Sequence, residues 1–411
     1  IDPSGRQDKP AAAALARLFA LCLLIASLMA LPLYSQSDSS AKAGASKDQQ
    51  GKSSSEKDTS SSSEEPKLSA ADEAALAAMF PSYPTLHALF FASGEFVSQH
   101  HTGANGRTST TSGGADLILT SQLSDNFSAL GQFSVRSTEG ENTLSRIEQL
   151  QLRFARSDSF QLRLGKFHTP LGYWNETFHD VGWLRTSIFR PEMFRYEKDG
   201  GIMPVHTIGL QAAGKIGFRP MEFGYSFTFG KGRGPKVTDE TKFNDLTSPH
   251  AFNAQFTFVP NRFRGFKLGI NGYADTIPAD PTTPGRNGTI GERIYGGFIA
   301  WHLFNLEILG EYDQISHNDS VSGFTYKSNG YYWQVSSQFY NWRIYERTDV
   351  INFDPLDPYY MSIDNRDLIK FTIGVRWDPT RWLGLKGEYS YSDRNRQPNS
   401  NSINFQAAVF F

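Results

Sequence analysis

The chain has 411 residues, enough for one large domain or two smaller ones. Its net charge is −2 at pH 7, so the total charge points neither to nucleic acid nor to another strongly charged partner. Aromatic residues make up 14% of the chain although its mean hydropathy is −0.42, a combination that suits two wet regions separated by a lipid-facing belt.

The first segment has the pattern of a secretory signal. Basic residues precede an apolar run over 18–33, and small residues follow at 35–37. The apolar run is shorter than the roughly 20 residues that a comfortable membrane-spanning helix needs. We therefore predict a signal peptide over 1–37. It contains Cys22, the only cysteine, so we expect neither a disulfide nor thiol chemistry in the mature chain.

The next two segments connect this signal to the body of the chain. Residues 38–66 are rich in Ser, Lys and Glu and almost devoid of apolar side chains, which predicts a disordered linker. Acidic residues near Asp72 then mark the first turn of a short periplasmic helix, predicted within 67–84. The linker could tether the body to a periplasmic partner.

Residues 85–411 contain about sixteen stretches with period-two alternation of apolar and polar residues. Short turns and longer loops alternate between these stretches without an exception. A soluble sandwich or propeller does not require that pattern, whereas an up-and-down barrel with tight periplasmic turns and longer extracellular loops does. We predict an all-β fold, a transmembrane antiparallel barrel of about 16 strands, surrounded by outer-membrane lipids.

The last stretch supports the same architecture. Ile403, Phe405, Ala407 and Val409 share one face, and the stretch ends at Phe411. It resembles the terminal strand of bacterial outer-membrane barrels. Together with the predicted export signal, it favours an outer-membrane location in a Gram-negative-type bacterium.

The third long loop, predicted over 170–205, is the least ordinary connection. It holds more large and charged side chains than a surface turn needs, among them Trp174, His179 and Trp183. Such a loop requires a surface against which to pack. We predict that it folds back into the lumen of the barrel.

The stretch Leu164-Gly165-Lys166-Phe167-His168-Thr169-Pro170-Leu171-Gly172-Tyr173, just before this loop, resembles the corresponding segment of the phosphate-selective (O/P-type) and related porins. The strand pattern of 86–411 is similar to that of trimeric, sixteen-stranded bacterial porins. This resemblance implies a constriction formed by the third loop, a homotrimer, and passive diffusion of small polar or charged solutes, with anions such as phosphate among the candidates.

Strand parity assigns candidate pore-lining residues, because residues two apart share a face. The candidates are the strand bases Arg136, Arg153, Arg163, Arg343, Arg347, Lys370, Arg376 and Lys386, the strand acids Glu307, Glu311 and Asp313, and Arg185, Arg190, Glu192 and Arg195 in the third loop. Parity also places Lys267, Asp349 and Glu388 on the inner face. Since bases and acids are interleaved in the loop, no pure anion selectivity follows.

Two other functions remain as alternatives. The barrel could be a scaffold or binding protein, plugged by its third loop and tethered through its linker. An outer-membrane hydrolase would need a nucleophile aligned with a histidine such as His179 or His206, but no nucleophile elbow, metal motif or phosphate loop occurs. We therefore predict no enzyme, no cofactor, no metal and no nucleic-acid partner.

Overall fold

A computed structural model describes residues 83–103, 106–178, 181–241, 250–363 and 365–411. The predicted signal peptide, the predicted linker and nearly all of the predicted helix at 67–84 lie outside these residues. Those three expectations stay predictions.

Sixteen antiparallel strands form the described body. Each strand pairs with the next along the chain and β16 pairs with β1, so the sheet closes on itself. The strands are β1 (Thr85–His101), β2 (Thr108–Gln122), β3 (Phe127–Thr138), β4 (Leu144–Ser157), β5 (Phe160–His168), β6 (His206–Phe218), β7 (Met221–Lys231), β8 (His250–Pro260), β9 (Phe266–Ile277), β10 (Ile290–Leu303), β11 (Leu306–Asp319), β12 (Thr325–Phe339), β13 (Trp342–Asn352), β14 (Leu368–Trp377), β15 (Leu383–Arg394) and β16 (Ser400–Phe410). The predicted fold class is confirmed.

Helices are few and short in the described chain. They are α1 (Tyr173–Thr177) and the 3-10 turns Glu192–Phe194, Glu197–Asp199 and Tyr360–Ser362. None of the described helices is long and apolar enough to cross a membrane.

Most connections follow the predicted alternation of short and long, but the last two, between β14 and β15 and between β15 and β16, are both five residues long. Two residues join β12 to β13, whereas residues 169–205 join β5 to β6. Gly, Ser and Thr near the strand ends still continue the ladder, so the first extracellular connection spans only the residues between His101 and Thr108.

Side-chain exposure shows why the strands form a barrel in lipid. On β5, Leu164 points outward and is 59% exposed, while Arg163 and Gln161 on the opposite face are half-buried. Trp342 and Trp377 stack at the periplasmic end of β13 and β14, with ring centroids 5.2 Å apart. Aromatic pairs of this kind suit the interface between acyl chains and headgroups. On β5 the outer face is therefore apolar and the inner face polar, as in other strands of lipid-embedded barrels.

One irregularity changes the inner face of β4. The pairing of β3 with β4 shifts by one residue between Gln132 and Phe133, which leaves Glu148 as the extra residue of a bulge. Glu148 and Gln149 are consequently both buried inside the barrel, although they are neighbours in sequence.

The lumen is filled unequally. A large apolar cluster joins the inner faces of β8–β14 to residues of the connection 169–205 and to Tyr359 and Tyr360 of the connection 353–367. A much smaller cluster, with Phe91, Ile118 and Val181 at its centre, lies against β1 and β2. The half of the barrel lined by β8–β14 therefore holds most of the apolar packing inside the barrel.

Candidate functional site

The connection 169–205, called loop 3 from here on, lies inside the barrel in its described part. His179 and Asp180 are outside the described residues. Trp174 and Phe194 of loop 3 are both fully buried and pack edge-on against Tyr332 of β12, with ring centroids 5.8 Å and 6.4 Å away. The inward fold of the loop, which belongs to the predicted fold class, is confirmed.

Carboxylates of the wall hold the backbone N–H groups of loop 3. Glu311 accepts hydrogen bonds from the nitrogens of Tyr173 and Trp174, at 2.6 Å and 2.7 Å. Asp349 accepts from the nitrogen of Glu192 at 3.0 Å. In the same way Glu388 accepts from the nitrogen of Ile188 at 2.6 Å. Buried backbone donors need such partners, and a loop inside a barrel has no ladder to supply them.

Basic residues of the wall hold the carbonyl groups of the same loop. Arg347 donates to the oxygens of Phe189 and Arg190, at 3.0 Å and 3.2 Å.

Arg376 donates to the oxygens of Trp183 and Arg185, at 2.7 Å and 2.8 Å. Lys386 donates to the oxygens of Gly182 and Ser187. Acids of the wall thus bind the N–H groups of loop 3, and bases of the wall bind its carbonyl groups.

This arrangement differs from the one expected from strand parity alone. Seven strand residues predicted to face an open pore are bound to other groups of the protein. Four of them bind the loop backbone, namely Glu311, Arg347, Arg376 and Lys386, and Arg343 donates to the Thr186 hydroxyl of the loop at 2.9 Å. Within the wall, Asp313 accepts from Asn271 at 2.7 Å and Glu307 pairs with His302 at 2.9 Å. Parity identifies the inner face correctly in each case. It cannot show that a loop occupies the space in front of that face.

The start of loop 3 depends on a glycine at a close approach. Gly172 has φ of +80°, a left-handed conformation, and a Cβ added to it would overlap a Glu311 carboxylate oxygen. Only glycine both adopts this φ without strain and leaves room for the Glu311 carboxylate. The sequence pattern Pro170-Leu171-Gly172 therefore allows the Glu311 carboxylate to reach the nitrogens that follow.

The tip of loop 3 is held by ion pairs. Glu192 lies 2.8 Å from Lys370 and 3.5 Å from Arg195. Burial alone would raise the pKa of Glu192, but the charges of Lys370 and Arg195 outweigh it and hold that pKa well below its usual range. Arg190, predicted to line a constriction, donates to the Phe194 carbonyl at 2.6 Å, so it also stabilises the loop itself.

The end of loop 3 is fastened to β4 and β6. Glu197 accepts from the nitrogens of Val205 and His206, at 2.8 Å and 3.2 Å. His206 also approaches the Glu148 carboxylate at 3.2 Å. Burial raises the pKa of Glu197, but the hydrogen bond and charge of His206 and the backbone N–H groups together lower that pKa to about 2.

One cavity lies on the extracellular side of loop 3. It has a volume of about 500 Å³ and is bounded by β1–β4, β14–β16 and the loop. Eight bases and three acids line it: Arg136, Arg146, Arg185, Arg190, Arg195, Lys198, Lys370 and Arg394 against Glu95, Glu192 and Asp199. We call it the extracellular cavity. The loop candidates Arg185, Arg190, Glu192 and Arg195 and the wall candidates Arg136 and Lys370 meet here.

A second cavity lies in the periplasmic half, against β3–β6. Its volume is about 360 Å³, and Arg153, Arg163 and Glu176 are its charged residues. We call it the periplasmic cavity. Arg153 and Arg163 are directly opposite each other on β4 and β5, and Arg153 donates to Gln161 at 2.8 Å.

Polar wall residues that sequence reasoning missed lie between the two cavities. Along β3, Ser128 borders the periplasmic cavity and Arg136 borders the extracellular cavity, with the buried Gln132 and Ser134 between them. Asp116 of β2 is the strand-pairing partner of Ser134, and its carboxylate lies 2.9 Å from the Arg136 guanidinium. Glu148 accepts from Ser134 at 2.8 Å, and only the strand bulge brings it inward.

No group of three or more metal-ligating side chains occurs within the described ranges. The charged residues that line the two cavities are mainly bases, with a few acids.

Solved structures with this architecture are outer-membrane proteins. The anion-selective porin from Comamonas acidovorans aligns with 80% of this chain and all of its own, at 10% identity and a TM-score of 0.55. OmpF of Salmonella typhi, solved with daunomycin, aligns with 80% of this chain and 98% of its own, at 16% identity and a TM-score of 0.54.

The outer membrane channel DcaP of Acinetobacter baumannii aligns with 81% of this chain and 99% of its own, at 14% identity and a TM-score of 0.52. No protein-family profile matches the chain. No curated protein matches it either.

The chain therefore has the fold of the sixteen-stranded outer-membrane porins, and the resemblance expected from its sequence is confirmed at the level of the fold. A closed barrel with an apolar exterior is how strands span the bacterial outer membrane. The predicted location in that membrane agrees with the structure.

Proposed function

We propose that this barrel is an outer-membrane channel for passive diffusion of small polar or charged solutes. The observation that carries the proposal is the position of the two cavities, one in each half of the barrel and both against β3. The opposite side is packed with apolar side chains. Solutes would therefore move along the wall formed by β1–β6 and β14–β16, off the barrel axis.

Within this function we propose a preference for anions. Bases exceed acids in both cavities, by eight to three and by two to one. Rings of Lys and Arg favour anions in pores, whereas acids favour cations. Three acids of the wall, Glu311, Asp349 and Glu388, accept hydrogen bonds from the backbone of loop 3, so they contribute less to the field that a solute meets.

Single-channel recording in planar bilayers tests the channel function. We expect discrete, ion-sized current steps from the pure protein, with a reversal potential in a salt gradient that shows anion preference. A scaffold barrel plugged by loop 3 is the alternative that the packed half of the lumen favours, and it would give no steps. An enzyme is not proposed.

The assembly state belongs to the same proposal. OmpT of Vibrio cholerae, which aligns at a TM-score of 0.54, is described in a trimer form. We propose a homotrimer for this chain, to be checked by the mass of the detergent-solubilised complex. A periplasmic partner bound through residues 38–66 stays a prediction.

A further inference from the structure

The outer face of the barrel carries two basic residues near its extracellular rim. Arg293 is the fourth residue of β10 and Lys327 the third of β12, each directly after an extracellular loop. Both side chains are exposed. Neither forms an ion pair with a carboxylate within the described part of the chain.

Strand pairing places the two cations in one row. Ser316 of β11 pairs with Arg293 on one side and with Lys327 on the other. Adjacent strands lie about 4.8 Å apart, so the two backbone positions are about 10 Å from each other. Two long basic side chains at that spacing, with a hydroxyl between them, can reach the same phosphate group.

These residues face lipid rather than the lumen. Two residues further toward the periplasm on β10, Tyr295 points outward and is 57% exposed. Tyr312 and Tyr331 form the adjacent outward pair, with ring centroids 6.3 Å apart. The acids of this region bind other groups. Glu292 pairs with His317 inside the barrel, and Asp319 accepts from loop nitrogens. The Asp354 carboxylate accepts from the backbone nitrogen of Lys327 at 3.4 Å. The sector is thus basic at the rim and aromatic below it.

We infer that Arg293, Ser316 and Lys327 form a binding site for the phosphate of an anionic lipid in the extracellular leaflet. The long loops define this end of the barrel as extracellular. Basic residues near a membrane surface attract anionic headgroups with about 1 kcal/mol each. The tyrosines below would meet the sugar and acyl regions of the same lipid.

Bisphosphorylated lipid A, a glycolipid with two phosphates, serves as the probe. It is titrated into detergent micelles that contain the full-length protein, and bound lipid is counted by mass spectrometry of the intact complex. The double variant Arg293→Gln, Lys327→Gln should bind roughly thirtyfold more weakly, since two headgroup attractions are lost. The charge-conserving variant Arg293→Lys, Lys327→Arg should stay within about threefold of the original chain.

The matched control is Arg262→Gln, Arg264→Gln, which removes two exposed bases from the periplasmic turn after β8. It should leave lipid affinity unchanged. Equal loss in this control, or no loss in the double variant, would overturn the inference. So would a double variant that changes the number of subunits per complex with lipid affinity intact, because the sector would then be a contact between copies.

A comparison without substitutions guards against a variant that fails to fold. The unaltered protein should bind dephosphorylated lipid A about as weakly as the double variant binds the phosphorylated form. Equal affinity of the unaltered protein for the two lipids would exclude phosphate recognition.

Discussion

The carboxylate of Glu311, on β11, accepts a hydrogen bond of 2.7 Å from the backbone nitrogen of Trp174 in loop 3. The same carboxylate accepts from Tyr173 and from the Tyr332 hydroxyl. A single buried side chain thus ties the first turn of the loop to the wall. The loop stays inside the barrel because its backbone groups are satisfied there.

Removing this tie should loosen loop 3. We expect Glu311→Ala to lower the free energy of unfolding by about 2–4 kcal/mol, because two buried N–H groups and a hydroxyl lose their acceptor. Single-channel currents should also become noisier. Thermal unfolding and current recording would measure the two effects. Glu222→Ala is the control, since Glu222 is half-exposed and forms an ion pair with Lys215, and an equal loss there would contradict the assigned role of Glu311.

Alanine variants of two glycines distinguish the cost of backbone strain from the cost of steric overlap. Gly172 and Gly140 have nearly the same φ, +80° and +79°. At Gly140 an added methyl group would meet open space, whereas at Gly172 it would meet Glu311. Gly172→Ala should therefore destabilise the barrel by clearly more than Gly140→Ala, whose cost is the roughly 1–2 kcal/mol of a left-handed alanine. Equal melting temperatures for the two variants would show that the contact with Glu311 is not tight.

Charge selection should depend on the periplasmic cavity. A unit charge 4 Å from an ion is worth about 1 kcal/mol in water, so Arg153→Gln, Arg163→Gln should reduce the anion-to-cation permeability ratio at least fivefold. Reversal potentials in a salt gradient measure this ratio. Arg264→Gln, which removes an exposed base outside the lumen, should leave it unchanged. A ratio that stays the same in the double variant would place the selective charges elsewhere.

The end of loop 3 should become less stable in acid. The pKa of Glu197 is about 2 in the folded chain and about 4.3 when unfolded, so its stabilising contribution is complete above about pH 5 and is lost as pH falls toward 2. The charged neighbours in this region are His206 and Glu148. We expect Glu197→Gln to show a smaller fall in melting temperature between pH 6 and pH 3 than the original chain. An equal fall in melting temperature for the variant and the original chain would show that other groups cause the acid sensitivity.

Much of the architecture could be predicted from alternation alone. Period-two patterning, with turns of two lengths, is sufficient for sixteen strands and their order, because a one-residue slip would place every leucine of a strand such as β5 on the wrong face. Leu164 and Arg163 lie on the faces that this rule assigns. The terminal strand pairs with β1, as closure requires.

The candidate site could be predicted only in part. Parity places Arg347 inside the barrel, but its role depends on loop carbonyls more than 150 positions away along the chain. Nothing local to β13 encodes that contact. Glu148 was missed for a different reason, because the bulge that turns it inward has no signature in alternation. Contacts set by loop packing lie beyond what strand periodicity determines.

The most direct test of an off-axis channel is single-channel recording with cysteines placed along the proposed path, in a Cys22→Ser background. Ser402 borders the extracellular cavity, Ser128 borders the periplasmic cavity, and Ser336 is buried on the packed side. We predict discrete current steps that shrink when an anionic thiol reagent is added to Ser402→Cys or Ser128→Cys and stay unchanged for Ser336→Cys. Absence of steps from the pure protein, or equal block at Ser336→Cys, would contradict the account.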